Sequence, residues 1–337
     1  MHMSDALLSV AVGTTMNVVS TGAIGYSVSK IKKYDLEENK IPMMGVMGAF
    51  IFAAQMINFT IPVTGSSGHI GGGILLAALL GPYPAVITLS CVLLIQCLFF
   101  ADGGLLALGC NIFNIAIIPC LIAYPLIYKN ILRKAISRRR ITIASVAAVV
   151  IGLQLGAFGV VVQTLLSGIT ELPVGAFAAV MQPIHLAIGI VEGIVTAAVL
   201  CFIYNIRKEI LENALGFGNL QRTTMKKFYV TVILATILIG GVLSWYASSK
   251  PDGLEWSIGK VTKETEIQND TAVHETAQKL QENTAVLPDY ALQQDNTTDG
   301  KLGTSLSGIV GGGITLAIAM AFGSLIMLYK KYRKRTN

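Results

Sequence analysis

The chain opens Met1-His2, and further along a stretch of seven small residues flanks another histidine: Gly65-Ser66-Ser67-Gly68-His69-Ile70-Gly71-Gly72-Gly73. Methionine ahead of histidine is expected to be retained, because the side chain at position two is too large for the trimming enzyme. A free α-amine then precedes His2, and the mature chain is expected to begin at Met1. That amine, the His2 amide nitrogen and the His2 imidazole Nδ1 can chelate one metal through fused five- and six-membered rings, with three nitrogens in a plane. With His69 as a fourth donor the site becomes tetragonal and all-nitrogen, which suits Ni(II) or Cu(II), whereas zinc prefers a tetrahedron. Small residues around His69 would let a second backbone approach closely. The alternative for that loop is an ordinary flexible turn.

Other polar residues could support such a site. His185 and Glu192 are seven residues apart on one helical face, and an acid within a membrane span is normally functional or paired. His185 could equally cap or pack. Asp102, in Phe100-Ala101-Asp102-Gly103-Gly104, could orient an imidazole or cap the helix that follows it. Asn111 and Asn114 share a face and are expected to hydrogen-bond a neighbouring helix; they and Ser67 complete the candidates around the ion. His274 lies in a polar segment and is expected to be solvated. Met43, Met44 and Met47 suit packing better than a Cu(I) path. Five cysteines without a CxxC pair argue against a disulfide framework or thiolate metal site. No GxxxxGK[ST], HExxH or GxSxG stretch occurs, so the chain has neither its own ATPase motif nor a visible hydrolase constellation.

These residues need a scaffold, and composition states its kind. Hydrophobic residues make up 53% and charged ones 13% of 337 residues, and the mean hydropathy is +0.65, well beyond a soluble core's needs. The expected fold is an all-α polytopic membrane protein. Apolar runs cover 6–29, 41–60, 70–80, 84–101, 105–128, 141–168, 183–205, 228–248 and 304–328. The third is too short to cross about 30 Å of hydrocarbon as a helix, so it is a half-helix or one arm of a bent hairpin broken at Gly81-Pro82-Tyr83-Pro84. With the N-terminus outside, 20 of the 25 basic residues fall in inner segments and the other five in 249–302, which obeys the positive-inside rule. The +6 formal charge is thus spread between spans, which excludes a nucleic-acid face. Segment 249–302 is polar, with ten acids and five lysines; it reads as an extracytoplasmic module with an unstructured middle. The expected division is 1–206 as a seven-span domain, 207–227 as a cytoplasmic linker and 228–337 as a two-span module. Gly308 and Gly312 on the last span suit close packing against another helix.

The stretches MHMSDALLS, GSSGHIGG, ADGGLLALGCNIFNIA and HLAIGIVEGIVTAAVL together resemble the CbiM/NikM family, the substrate-capture component of nickel and cobalt transporters of the energy-coupling-factor type. Pro251-Asp252-Gly253-Leu254-Glu255 resembles the PDGLE signature of the accessory NikN/CbiN component, so the chain looks like a fusion of the two. Relatives often continue MHI-x-[DE]-G, where this chain has Met3 and Ala6. The resemblance implies Ni(II) or Co(II) as transported substrate, held by Met1, His2 and His69, and no organic cofactor. It also implies a transmembrane coupling subunit and cytoplasmic ATPases as partners in the lipid bilayer of the cell membrane. On that reading affinity falls as pH drops below about 6.5, the unperturbed histidine value, and deleting 249–337 impairs transport more than binding. A capture subunit for a vitamin, and an intramembrane metal-dependent enzyme, are the alternatives.

Overall fold

The computed structural model describes residues 1–31, 40–170, 172–216, 225–263, 271–292 and 301–336. Among these the fold is helical except for one two-residue hairpin, Phe59–Thr60 with Ser67–Gly68. Each apolar run falls on a helix: α1 (Val10–Lys30), α2 (Lys40–Gln55), α3 (Gly73–Leu80) and α4 (Pro82–Phe100) come first. A short α5 (Leu108–Asn111) then widens into a π-type stretch, Ile112–Tyr128, that contains Pro119 and Pro125 and closes as α6 (Lys129–Leu132). The chain continues with α7 (Arg138–Ser167), α8 (Val174–Leu215) and α9 (Lys226–Gly241). Two small helices, α10 (Gly253–Thr262) and α11 (Ala272–Thr284), precede the last long one, α12 (Lys301–Thr336).

Five helices among the described residues are long and apolar enough to cross a membrane: Pro82–Phe100, Leu108–Leu132, Arg138–Ser167, Val174–Leu215 and Lys301–Tyr332. Helix α1 falls short in apolarity because its polar residues tie it to the bundle: Asn17 Nδ2 donates to the Leu106 carbonyl (2.9 Å) and Ser20 Oγ to that of Gly109 (2.6 Å). Helix α4 is buried on nearly every side, whereas α7, α8, α9 and α12 turn large residues such as Phe158, Leu166, Ile194, Leu234 and Leu325 outward. Exposed aliphatic side chains in such number are what a lipid-facing surface presents. The chain is an integral membrane protein.

The third run is both of the alternatives offered for it. Helix α3 has eight residues, all buried, and it turns at Gly81 (φ +85°) directly into Pro82 at the start of α4. Proline is pre-set for a helix's first turn and glycine for the left-handed link before it. The turn sits at the end of the bundle opposite Met1, because Tyr83 packs edge-on against Tyr26 near the end of α1, ring centroids 6.0 Å apart.

Three expectations change. Pro183 and His185 lie inside α8, which starts at Val174, because proline breaks a helix less surely where neighbouring helices hold it. The same helix runs through the expected boundary at 207, with non-helical backbone at Arg207 (φ −151°, ψ 62°), and buries Ile210, Leu211 and Leu215 before ending at Gly216; 217–224 of the expected linker lie outside the described residues. Segment 249–302 contains α10 and α11, while 264–270 and 293–300 lie outside the described residues. The glycine face of α12 meets α9 at one tight point: a Cβ on Gly308 would lie 2.3 Å from the Gly240 carbonyl oxygen.

Candidate metal centre

Residues 1–9 run into the bundle instead of fraying from it. Met3, Leu7 and Leu8 are fully buried, an apolar anchor that draws the peptide inward. Asn111 then fixes its register, since its Oδ1 accepts from Met3 N (2.7 Å) while its Nδ2 donates to Met3 O (3.1 Å). Gly104 N adds a second bond to Met3 O at 3.0 Å. Asp5 Oδ1 accepts from Ala107 N (2.8 Å), and burial pushes the Asp5 carboxyl pKa up. His274, expected in solvent, is 5% exposed and donates from Nε2 to the carbonyls of Asp5 (3.1 Å) and Leu8 (2.9 Å), with Thr271 Oγ1 at its Nδ1. A solvated reading fails because α11 lies across the N-terminal peptide and supplies a donor to the Leu8 carbonyl and a second one to that of Asp5, which also accepts from Leu8 N.

This peptide brings Met1 and His2 to His69. The Met1 amine is 3.3 Å from His69 Nε2, and the two imidazoles stack with centroids 5.1 Å apart and planes 15° from parallel. His69 Nδ1 is 3.1 Å from the Ile70 carbonyl. A carbonyl only accepts, so Nδ1 carries the hydrogen and Nε2 turns its lone pair toward the amine. That is the tautomer a metal ligand needs, with its second nitrogen anchored. Burial, reinforced by the nearby amine, lowers the His69 pKa to about 3; burial also lowers that of His2, against the pull of Asp102. The His69 ring is therefore neutral well below the ordinary histidine range, and that of His2 is shifted in the same direction. His2 Nδ1 lies 3.3 Å from Asp102 Oδ1, and His2 Nε2 is buried without a hydrogen-bond partner. Asp102 does not cap the next helix, which begins at Leu108; its Oδ2 accepts from Tyr290 Oη at 2.6 Å.

The largest surprise is a carboxylate from the far end of the sequence. Asp252 Oδ2 pairs with the Met1 ammonium at 2.5 Å. Its Oδ1 accepts from Leu254 N (2.7 Å) and Glu255 N (2.9 Å), while Glu255 Oε2 accepts from Asp252 N (3.0 Å), a reciprocal cap on α10. One side chain thus starts a helix with one oxygen and holds the amine with the other. Burial alone would push its carboxyl up, but the ammonium and the helix N–H groups hold it well below the usual carboxylate range. Every residue of Pro251-Asp252-Gly253-Leu254-Glu255 has a use. The Pro251 carbonyl accepts from Ser67 N (2.8 Å), and Leu254 is buried. Gly253 lets the turn sit close on α8, since a Cβ there would lie 2.8 Å from Ile188 and 2.9 Å from the His185 ring, which would have to move. Ser67 consequently faces the module, donating from Oγ to the Lys250 carbonyl at 2.7 Å. The loop's small residues receive this turn as well as the N-terminal peptide.

The remaining candidates lie around and below the amine. Asn114 and Gln163 exchange side-chain hydrogen bonds (2.7 and 3.2 Å) across to α7. His185 and Glu192 do not bond each other: His185 Nδ1 faces the Met181 carbonyl (2.8 Å) and Glu192 Oε1 accepts from Gly72 N (3.0 Å). Both line a cavity of about 40 Å³ that begins at Met1 and His69. Above the amine a polar cleft of about 1080 Å³ opens between the first domain and the module, with Asp102, Asp252, Glu255 and Asp289 on its walls. A cleft lined with acids raises the local concentration of cations.

Reading the residues alone misses Asp252, His274, Gln163 and Tyr290. For Asp252 a signal exists: an aspartate three residues before a glutamate is a helix-start pattern, here beside Pro251 and Gly253. For Gln163 and Tyr290 no local pattern reaches across the chain.

The fold and this cluster define a class, an α-helical membrane protein whose N-terminal amine and two imidazoles converge under an acidic cleft. Comparison with known proteins gives the family. Residues 2–210 match the CbiM model, described as a cobalt uptake substrate-specific transmembrane region, and 226–328 match the PDGLE domain. The chain belongs to the CbiM family, with a PDGLE domain fused behind it, and it is a transport protein, not an enzyme. It is 32% identical to a protein of Archaeoglobus fulgidus named as a fused nickel transport protein, NikMN, over 95% of this chain and 97% of that one. A fused nickel transport protein NikMN of Rhodobacter capsulatus is 35% identical over 44% of this chain and 42% of its own length. The crystal structure of a truncated transition metal transporter superposes with a TM-score of 0.54 at 28% identity, covering 61% of this chain and 99% of that one.

Proposed function

We propose that this chain is the metal-capture subunit of an energy-coupling-factor importer, taking Ni(II) or Co(II) from the extracytoplasmic face through Met1 N, the His2 amide and imidazole, and His69 Nε2. The observation that carries the reading is the Met1 amine 3.3 Å from a His69 nitrogen whose lone pair is free for it. The nickel and cobalt names of the relatives support the choice of ion. Basic residues at the ends of α1, α5–α6 and α12 and the start of α7 support a cytoplasmic face opposite the site, with the C-terminus there.

Capture is an exchange at this cluster. The ion replaces the ammonium proton and the His2 amide proton, so two positive charges arrive as two leave and Asp252 faces the same net charge before and after. His2 Nδ1 must also trade Asp102 for the ion. Without an ATPase motif the chain draws its energy from partners, which we take to be a transmembrane coupling subunit and cytoplasmic ATPases. Residues 1–206 do the capturing and the 228–337 module closes the cleft over it.

The decisive experiment makes the substitution His2→Gln and measures Ni(II) and Co(II) binding to the purified chain. The six-membered ring of the chelate is then lost, and affinity should fall by roughly two orders of magnitude or more. Unchanged affinity would sink the chelate. A vitamin-capture subunit would bind its ligand as before with this substitution.

A further inference from the structure

The cavity under the amine contains two polar groups that capture does not use. Helix α8 leads away from the site, and Glu192 follows His185 by seven residues, about 10 Å deeper at 1.5 Å each. His185 is 1% exposed. Its Nδ1, facing the Met181 carbonyl at 2.8 Å, must carry the ring hydrogen, so Nε2 presents a lone pair. That nitrogen is buried and has no hydrogen-bond partner. A buried acceptor left unmet is costly and calls for an explanation. Glu192 is 4% exposed, its known bond is to Gly72 N, and no lysine or arginine lines the cavity with it. The Met1 ammonium on the same cavity wall is already paired with Asp252, and an acid inside a membrane span without a cation of its own is likewise costly.

The two groups line one cavity together with Met1 and His69. Gly253 closes it from above, where a Cβ would come within 3.1 Å of His185 Nε2. A water needs about 10–15 Å³ of such space, so the cavity's roughly 40 Å³ takes an ion that keeps one or two waters. One imidazole and water, with the carboxylate reached through that water, make a donor set that suits Ni(II) and Co(II) and, unlike the chelate, demands no ionised amide. It would hold them more weakly.

We propose that His185 Nε2 and Glu192 form a second, inner station for the divalent ion, occupied after it leaves the N-terminal chelate on its way through the bundle. The proposal rests on the capture reading given above, since it needs an ion delivered at Met1.

The test is a Co(II) titration of the full chain in detergent, followed by its visible absorption, with uptake measured after reconstitution with coupling and ATPase subunits. Wild type should show one tight equivalent and a second at least roughly tenfold weaker with a distinct spectrum. His185→Gln and Glu192→Gln should remove the second equivalent, leave the first within about threefold, and lower uptake roughly tenfold or more. Retention of the first equivalent also certifies folding; if one variant fails that criterion, the other decides. A wild-type chain without the second equivalent, or variants that keep it, would overturn the station, as would loss of both equivalents together in both variants. The substitution His2→Gln separates the two readings: it should abolish the first equivalent and spare the second, and an intact first equivalent would refute the chelate.

Discussion

Asn111 shows how much rests on single amides. It pairs with both backbone groups of Met3, and removing it leaves a buried N–H unmet and deprives the carbonyl of one of its two donors. Each such loss costs about 1–3 kcal/mol. Asn111→Ala should therefore weaken Ni(II) binding roughly ten- to a hundredfold, by isothermal titration, without touching a ligand atom. A change under about twofold would mean that the peptide holds its path by Met3 burial alone. Proton traffic is the second residue-scale test: chelation should release about two protons per ion at neutral pH, one from the ammonium and one from the amide, read with a pH indicator. Acid stability gives the third. His69 has a folded pKa of about 3 against 6.5 for the free group, so between those values the unfolded chain binds more protons than the folded one. Stability should then fall as pH drops from about 6.5 toward 3, and His69→Gln should flatten that slope in thermal unfolding. It follows that imidazole protonation does not set the acid limit of capture near 6.5, as the unperturbed value suggests.

Among the elements, α10 is the one whose start and function share a side chain. Asparagine caps a helix about as well as aspartate, whereas alanine loses about 1 kcal/mol. Asp252→Asn therefore isolates the charge from the cap: it should keep α10 folded and alter the rate of metal loading, while Asp252→Ala should also loosen the turn against Ser67. Hydrogen exchange at 253–262 distinguishes them, and equal protection in both would show that the cap contributes nothing. Gly253→Ala should push α10 off α8, because the added carbon meets both Ile188 and His185.

The whole molecule behaves as one unit built from two sequence blocks. Deleting 249–337 should abolish uptake and only weaken equilibrium binding, compared by dialysis and vesicle assays; loss of binding in a deletion that still folds would place the module inside the capture step itself. Much of this architecture is legible in the chain. The helical runs follow from hydropathy, and Gly81-Pro82 announces its hairpin. Met1, His2 and His69 stand out because their donor atoms are rare in such company. What local patterns cannot show is which polar residue answers which. His274 looks solvated because its neighbours are hydrophilic, and it is buried only because α11 lies on the N-terminal peptide. Asp252 belongs to a recognisable signature, yet its partner is 251 residues away. Pro183 misleads for the converse reason, since a breaker by local rule sits quietly within a helix held on several sides.

That long reach sets an order of events in the making of the protein. Met1 leaves the ribosome early, but Asp252 and His274, which pin its amine and its peptide, emerge only after α1 to α9 have been laid down. Throughout that interval Asn111 and Gly104 can hold the peptide's path, but its amine has no carboxylate to pair with, so the centre is completed only when the second block arrives.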